Sequence, residues 1–219
     1  PEDRDAAEVQ LHEHKFIYSD GARYLGSFLG SVEKKLAWVD EKIDGWMQSV
    51  KTLGRIAKRF PQTAYAGLSR SLQMEWQYTL RVLPDVASNF ERLEATLDED
   101  FLAPLLQESG SLPEDLRSQL AQPVRFSGLG VHNPSESADE FFKTSKAVTE
   151  PIYSSLIERK ELDTTRYAVH AASTTEAYQS ARAKASQLEF TRRYNESDEL
   201  TQRRLSRSVG NGAFLTVYP

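Results

Sequence analysis

Residues 32–60, VEKKLAWVDEKIDGWMQSVKTLGRIAKRF, place apolar side chains three and four positions apart. The apolar positions are Val32, Leu36, Val39, Ile43, Trp46, Met47, Val50, Leu53, Ile56 and Phe60. This spacing is typical of one face of a long α-helix, and Pro61 predicts its end because proline disfavours helical geometry in the residue before it. Such a helix needs partners that cover its apolar face, and the flanking sequence has to supply them.

Two further helices are predicted directly after it. The second runs from about Gln62 to the residues before Pro84 and has an apolar stripe that includes Trp76. The third begins at Asp85, a favourable N-cap residue, and ends at the loop 108–111. Because the link between the first two helices is short, we expect them to be antiparallel neighbours.

The residues before the long helix predict a β-hairpin. Lys15–Tyr18 and Arg23–Gly30 are rich in aromatic and aliphatic residues, and the pair Asp20-Gly21 between them is a turn signal. The turn is therefore predicted within Ser19–Ala22. A short amphipathic helix is predicted ahead of the hairpin, within residues 3–14.

The C-terminal half begins with a stretch rich in proline and glycine, residues 110–134, in which a brief helix is predicted at Glu114–Ala121. Asn133-Pro134-Ser135-Glu136 predicts a helix start, with a capping residue and then proline at the first helical position. Pro151 predicts a kink in this helix. A long polar helix is predicted from about Ser173 to Ser208, and its composition suggests that it bridges solvent or needs a partner.

The sequence thus predicts a mainly α protein: an antiparallel helical bundle with a short N-terminal β-hairpin and a long C-terminal helix. Trp46 and Trp76 are expected in the core of the bundle. The predicted divisions are 1–30 for the hairpin region, 31–108 for the bundle, 109–134 for the connector and 135–219 for the C-terminal helical region.

Composition and motifs exclude several classes of function. The chain has 219 residues, a formal net charge of −5 and no cysteine, so it has neither disulfides nor thiolate zinc ligands. No apolar run approaches the roughly 20 residues that span a bilayer, so no membrane partner is expected. His12 and His14 would point to different faces of a helix, Asp98–Asp100 is expected to be a solvated acidic face, and Gly128–Gly130 is expected to be a tight turn. No catalytic or metal-ligating residue is predicted.

Basic residues cluster in two places despite the negative net charge. The first cluster, at the end of the long helix, is Lys51, Arg55, Lys58 and Arg59. The second, near the C-terminus, is Arg182, Lys184, Arg192, Arg193, Arg203, Arg204 and Arg207. A cluster of this kind either binds phosphate groups or complements the negative pole of a helix, and for the first cluster both interpretations stay open.

Several motifs are shared with one enzyme family. Arg23-Tyr24-Leu25-Gly26 lies after a predicted strand and before long helices, and residues 123–134, PVRFSGLGVHNP, combine Pro-Val-Arg, a Gly-Leu-Gly core and an Asn-Pro helix start. Residues 65–84 and 212–216 add further matches. Together these segments resemble the region after the palm of the reverse transcriptases of eukaryotic retrotransposons, which are RNA-directed DNA polymerases. The aromatic-Leu-Gly motif is the primer grip of that family.

The resemblance has two departures. Ser127 stands where the family usually has glycine. The Tyr-x-Asp-Asp catalytic turn and the Cys/His zinc ligands of the family are absent, so we expect this chain not to polymerise by itself. The acidic start, Pro1–Asp5, which lacks a methionine, is interpreted as a cut end and the chain as a fragment.

The resemblance implies that the chain positions and grips a template-primer duplex. Tyr24 and Leu25 would bear on the primer sugar-phosphate, and Gly26 would let the backbone approach closely. The phosphate contacts would come from Lys51, Arg55, Lys58 and Arg59. The resemblance also implies no cofactor in this fragment, Mg²⁺ in the missing palm, the rest of the polyprotein as a partner, and an intracellular location in the cytoplasm or nucleus.

A second hypothesis belongs to a different class. The negative net charge and the polar last helix also fit a helical scaffold or protein-interaction domain that does not bind nucleic acid. In that case Tyr24 and Leu25 would be ordinary core residues between the hairpin and the first helix. Whether Tyr24-Leu25-Gly26 is exposed or buried distinguishes the two hypotheses.

Overall fold

The computed structural model describes residues 19–209, in which a two-stranded hairpin is followed by a series of helices. The strands are β1 (Gly21–Tyr24) and β2 (Ser27–Gly30), and the helices are α1 (Val32–Ala57), α2 (Pro61–Gly67), α3 (Gln73–Val82), α4 (Glu91–Leu97), α5 (Ala103–Leu105), α6 (Glu114–Ala121), α7 (Pro134–Glu158), α8 (Thr164–Glu196) and α9 (Glu199–Ser208). Leu68–Leu72 and Asp98–Leu102 are π-helical turns, and Ala87–Phe90 and Val124–Phe126 are 3₁₀ turns. The predicted fold class, mainly α with an N-terminal hairpin and a long C-terminal helix, is confirmed. Among the described helices, none has the length and apolar character needed to cross a membrane.

Helix α1 is the centre of the bundle, as its period predicts. Ser31 caps its N-terminus by accepting a hydrogen bond from the Lys34 backbone N–H at 3.4 Å. Val39, Ile43 and Val50 are fully buried on the predicted face. The helix ends at Ala57, four residues before Pro61.

The next two helical stretches pack on α1 in opposite directions. In the first stretch, α2 to α3, Gly67 lies against Leu53 and Trp76 lies 6.3 Å from Trp46 between ring centroids, so this stretch runs antiparallel to α1. The second stretch starts beside the first half of α1, where Phe90 packs 6.0 Å from Trp46. Trp46 and Trp76 are 5% and 1% exposed, which confirms their predicted place in the core.

The connector folds back over the second helical stretch. Helix α6 has the predicted bounds, and Arg117 on it forms a buried, two-pronged salt bridge with Glu94, with nitrogen–oxygen distances of 2.6 and 2.7 Å. Burial raises the pKa of Glu94, and the hydrogen bond from Arg117 opposes this shift. Gly130 has φ +66°, which confirms the predicted tight turn, and a Cβ on Gly128 would lie 1.9 Å from the Gln122 carbonyl oxygen.

Helices α7 and α8 form an antiparallel pair over α3. Asn133 caps α7 as predicted, because its side chain accepts from the backbone N–H groups of Ser135 and Glu136. The pair is tied by a hydrogen bond between the His170 ring and the Ala147 carbonyl oxygen at 2.9 Å.

The prediction of one unbroken polar helix from Ser173 to Ser208 is wrong. Helix α8 starts at Thr164, capped by Asp163, and a break at Ser197 separates it from α9. Asp198 causes the restart, because its carboxylate accepts from the Thr201 backbone N–H at 2.7 Å.

Three local predictions also need correction. The hairpin turn lies at Leu25-Gly26 and not within Ser19–Ala22, because Gly21 pairs with Gly30 inside the sheet. Asp85 is not an N-cap: it has φ +58° and precedes the 3₁₀ turn. Asp98 is buried, and its carboxylate accepts hydrogen bonds from the Ser111 hydroxyl and the Leu112 backbone N–H. The predicted strand at 15–18 and the predicted helix within 3–14 lie outside the described residues.

Candidate nucleic-acid interface

The tip of the hairpin is a two-residue turn made by Leu25 and Gly26. Tyr24 pairs with Ser27, so only these two residues connect the strands. Both have positive φ, +47° for Leu25 and +79° for Gly26, which matches the twist of a tight hairpin. Glycine adopts this conformation readily, whereas a leucine pays roughly 1–2 kcal/mol for it. The tip therefore stores backbone strain at a non-glycine residue.

A tyrosine of the helical bundle stabilises this strained turn through a hydrogen bond. The Tyr78 hydroxyl on α3 donates a hydrogen bond of 2.6 Å to the Leu25 carbonyl oxygen. A Cβ on Gly26 would lie 3.3 Å from the Tyr78 ring, so the turn sits directly on that ring. The tip is thus held in a fixed position relative to α3.

The side chains of the tip face solvent. Tyr24 is 59% exposed and Leu25 is 78% exposed, so the interpretation of these two residues as core between the hairpin and α1 is wrong. Phe28 fills that role instead, because its ring stacks on Trp38 of α1 with centroids 6.0 Å apart. The side chains of the aromatic-Leu-Gly motif are therefore exposed, while Phe28 in the same hairpin packs on α1.

The first basic cluster is also exposed, along the last turns of α1. Arg55 donates to the Thr52 hydroxyl at 3.1 Å, and the Arg59 guanidinium lies 5.3 Å from the Phe60 ring centroid. Lys51 faces the carboxylate of Asp100 at 3.9 Å, which offsets part of its charge. Phe60, 53% exposed, adds an aromatic surface to the cluster. The charge of Lys51 is thus partly offset, whereas Arg55, Lys58 and Arg59 form no ion pair within the described residues.

The tip lies beside the middle of α1, and the basic cluster follows at the C-terminal end of the helix. Arg23, next to the tip, lines a pocket with Gly45 and Ser49 of α1. The cluster begins at Lys51 and continues past Ala57, where the helix ends. The tip therefore precedes the cluster along α1.

Three members of the second basic cluster are paired with acidic side chains. Arg192 and Arg193 both bind Glu189, at 2.8 and 2.7 Å, and Arg203 binds Glu199. Hydrogen bonds from Arg192 and Arg193 lower the pKa of Glu189 to about 2. Arg182 differs from them, because it hydrogen-bonds the His132 ring at 3.0 Å. The ion pairs offset part of the positive charge that this cluster has in the sequence.

Within residues 19–209, no group of three or more His, Asp and Glu side chains is arranged to hold a metal ion. His12 and His14 lie outside that range. Comparison with known proteins gives no match to a family model, to a curated protein or to a solved structure.

Proposed function

We propose that this chain is the primer-grip and thumb region of a retrotransposon-type reverse transcriptase, which positions and grips a template-primer duplex without catalysing synthesis itself. The observation that carries the proposal is the hairpin tip, where Tyr24 and Leu25 are exposed on a strained turn. Strain at an exposed, braced turn is expected where function requires one backbone geometry.

The proposed role follows from the position of each group. The tip supplies a rigid aromatic and aliphatic edge for the primer sugar-phosphate, and Gly26 keeps the backbone accessible there. Arg55, Lys58 and Arg59 supply sequence-independent contacts to phosphates farther along the duplex. The Mg²⁺-binding carboxylates of such a polymerase belong to its palm, since the Tyr-x-Asp-Asp turn is not in this sequence. Holding the primer end against that centre contributes to catalysis through positioning.

The test is duplex binding by the 219-residue chain as a function of salt concentration. We expect micromolar or weaker affinity, because the net charge of −5 repels phosphate at long range. Binding should fall steeply as salt rises. The double variant Arg55→Ala and Lys58→Ala should reduce the slope of log K against log salt by about two units, equally for unrelated sequences.

The matched control is Lys143→Ala with Lys146→Ala, which removes the same charge from an exposed face of α7. This variant should keep the slope of the unmodified chain. Equal effects of the two double variants would mean that only the net charge matters, and the basic cluster would lose its assigned role.

A second candidate function, a protein-interaction domain, is favoured by an apolar patch at the end of α7. Tyr153, Leu156 and Ile157 share one helix face and are 66%, 71% and 67% exposed. An exposed patch of this kind marks interaction surfaces in soluble domains. This candidate replaces the first if the chain shows no salt-dependent duplex binding.

A further inference from the structure

A cavity of about 560 Å³ lies between α3, α7 and α8, away from the hairpin tip. Its wall includes Gln77 and Arg81 from α3, Phe141 from α7, and Tyr178 and Arg182 from α8. A cavity of this volume is in the range of small-molecule sites. The remaining wall includes threonine and serine hydroxyl groups.

Two arginines meet at the aromatic ring in this cavity. The guanidinium groups of Arg81 and Arg182 lie 5.9 and 5.6 Å from the centroid of Phe141. Neither forms an ion pair with a carboxylate of the described residues. Glu140 lines the cavity as well, so two positive charges face one negative charge. An excess of positive charge on the wall of a cavity favours the binding of an anion.

Neutral donors complete the wall. Gln77 is only 6% exposed and lines the cavity. Its side-chain amide makes no hydrogen bond within residues 19–209, so its N–H groups are available to a ligand that accepts a hydrogen bond. Arg182 uses one terminal nitrogen for the His132 ring, which leaves its other N–H groups free to donate.

We propose that this cavity binds a phosphate group. Guanidinium forks match the tetrahedral oxygens of phosphate, and the Gln77 amide adds a neutral donor. The volume leaves room for more than the phosphate alone, so the group belongs either to a mononucleotide-sized molecule or to a nucleic-acid backbone. The proposal does not depend on the role of the hairpin tip.

The test is calorimetric titration of the 219-residue chain with inorganic phosphate at constant ionic strength, set with sodium chloride. Saturable binding is expected, with a Kd on the order of 1 mM. Arg81→Gln should weaken it by about tenfold or more, because a charge-assisted hydrogen bond is lost. Arg81→Lys should give a smaller loss, since it keeps the charge but not the fork. Arg81 is exposed to solvent, so neither change disturbs the core.

Arg70→Gln is the matched control, with the same change of charge on the helical stretch that precedes α3 but outside the cavity. It should leave the phosphate affinity within about twofold, because an exposed distant charge is screened. Equal losses for Arg70→Gln and Arg81→Gln, or no saturable binding at all, would overturn the proposal.

Two further ligands identify the source of the phosphate. If adenosine 5′-monophosphate binds more tightly than inorganic phosphate and loses affinity in Arg81→Gln, the cavity is a small-molecule site. If a short oligothymidylate competes with phosphate and shows the same dependence on Arg81, the cavity binds a nucleic-acid backbone. If neither competes with inorganic phosphate although the free ion binds, the site is specific for the ion itself, and the inference that it holds a phosphorylated molecule is overturned.

Discussion

His132 shows how the connector uses a histidine as a neutral, buried group. Burial lowers its pKa to about 4, the positive charge of Arg182 adds to the shift, and a hydrogen bond with the Ala121 backbone opposes it. At neutral pH the ring is uncharged and one of its nitrogens accepts the hydrogen bond from Arg182. The side chain therefore joins the connector to α8 without adding a charge.

This histidine predicts a pH dependence of stability. The unfolded chain takes up a proton near pH 6.5, whereas the folded chain resists until about pH 4, so stability is full above pH 6.5 and falls as the pH drops through this window. The free energy of unfolding should decrease by about 2–3 kcal/mol between pH 7 and pH 4.5. Urea unfolding at both pH values, with His132→Gln alongside, measures it. A variant with the same pH dependence as the unmodified chain would remove His132 as the cause.

Ser127 occupies a backbone conformation that is typical of glycine. It has φ +66°, in the left-handed region, and glycine is the residue that the proposed resemblance to reverse transcriptases predicts here. The serine is fully buried, and its hydroxyl donates to the Leu205 carbonyl oxygen at 3.2 Å. The backbone of Ser127 thus keeps a conformation typical of glycine, and its side chain adds a hydrogen bond to α9.

At the scale of elements, α1 and the π-helical turn Asp98–Leu102 approach each other at Gly54. A Cβ on Gly54 would lie 1.6 Å from the Asp100 carbonyl oxygen, far inside contact distance. Gly54→Ala should therefore lower the free energy of unfolding by about 3 kcal/mol or more, because the two backbones must separate.

Gly45, on the same helix, is the control for Gly54. A Cβ there would meet nothing within 4 Å, so Gly45→Ala should raise stability by up to about 1 kcal/mol through helix propensity. Chemical unfolding of both variants measures the difference. Equal and small effects would contradict the close approach of α1 to the π-helical turn.

The elements that could be predicted are those with local signals. The spacing of apolar residues in 32–60 predicted α1, and the Asn133-Pro134 pair predicted the start of α7. Both signals act within a few residues, because side-chain spacing and capping are local. The hairpin turn could not be located in this way, because turn chemistry favours Asp20-Gly21, while the Tyr78 hydroxyl, distant in sequence, supports Leu25-Gly26. The burial of Asp98 likewise depends on the later loop that holds Ser111.

The sequence predicted which residues belong to the candidate site, but it did not predict how they are arranged in space. The motif around Tyr24 and the cluster from Lys51 to Arg59 are visible in the sequence, and the structure leaves both exposed. The structure places the tip beside the middle of α1, whereas the cluster lies at the C-terminal end of that helix. The contacts of Arg81 and Arg182 with Phe141 could not be predicted from the sequence, because the three residues come from three different helices.

For the whole molecule, the proposed function gives the hairpin tip and the basic cluster different roles. Under that proposal a duplex is held by phosphate contacts at the cluster and presents its primer terminus at the hairpin tip. Basic residues far from the terminus affect affinity, since they contact phosphates that do not react. A residue at the terminus affects the rate of extension instead, since its contribution is positioning.

Under the proposed function, Tyr24→Ala in a polymerase that contains this chain separates these roles. Primer extension by the bound enzyme should fall by about tenfold or more, whereas duplex affinity should change little, because a displaced primer end reduces the rate of the chemical step. Single-turnover extension and equilibrium binding measure the two quantities on the same duplex. Tyr153→Ala is the control, since Tyr153 is equally exposed, at 66% against 59%, but lies at the end of α7. If Tyr24→Ala combined with Arg55→Ala and Lys58→Ala still extends primers normally, the tip and the basic cluster do not hold the duplex, and the protein-interaction function becomes the better explanation of the exposed tip.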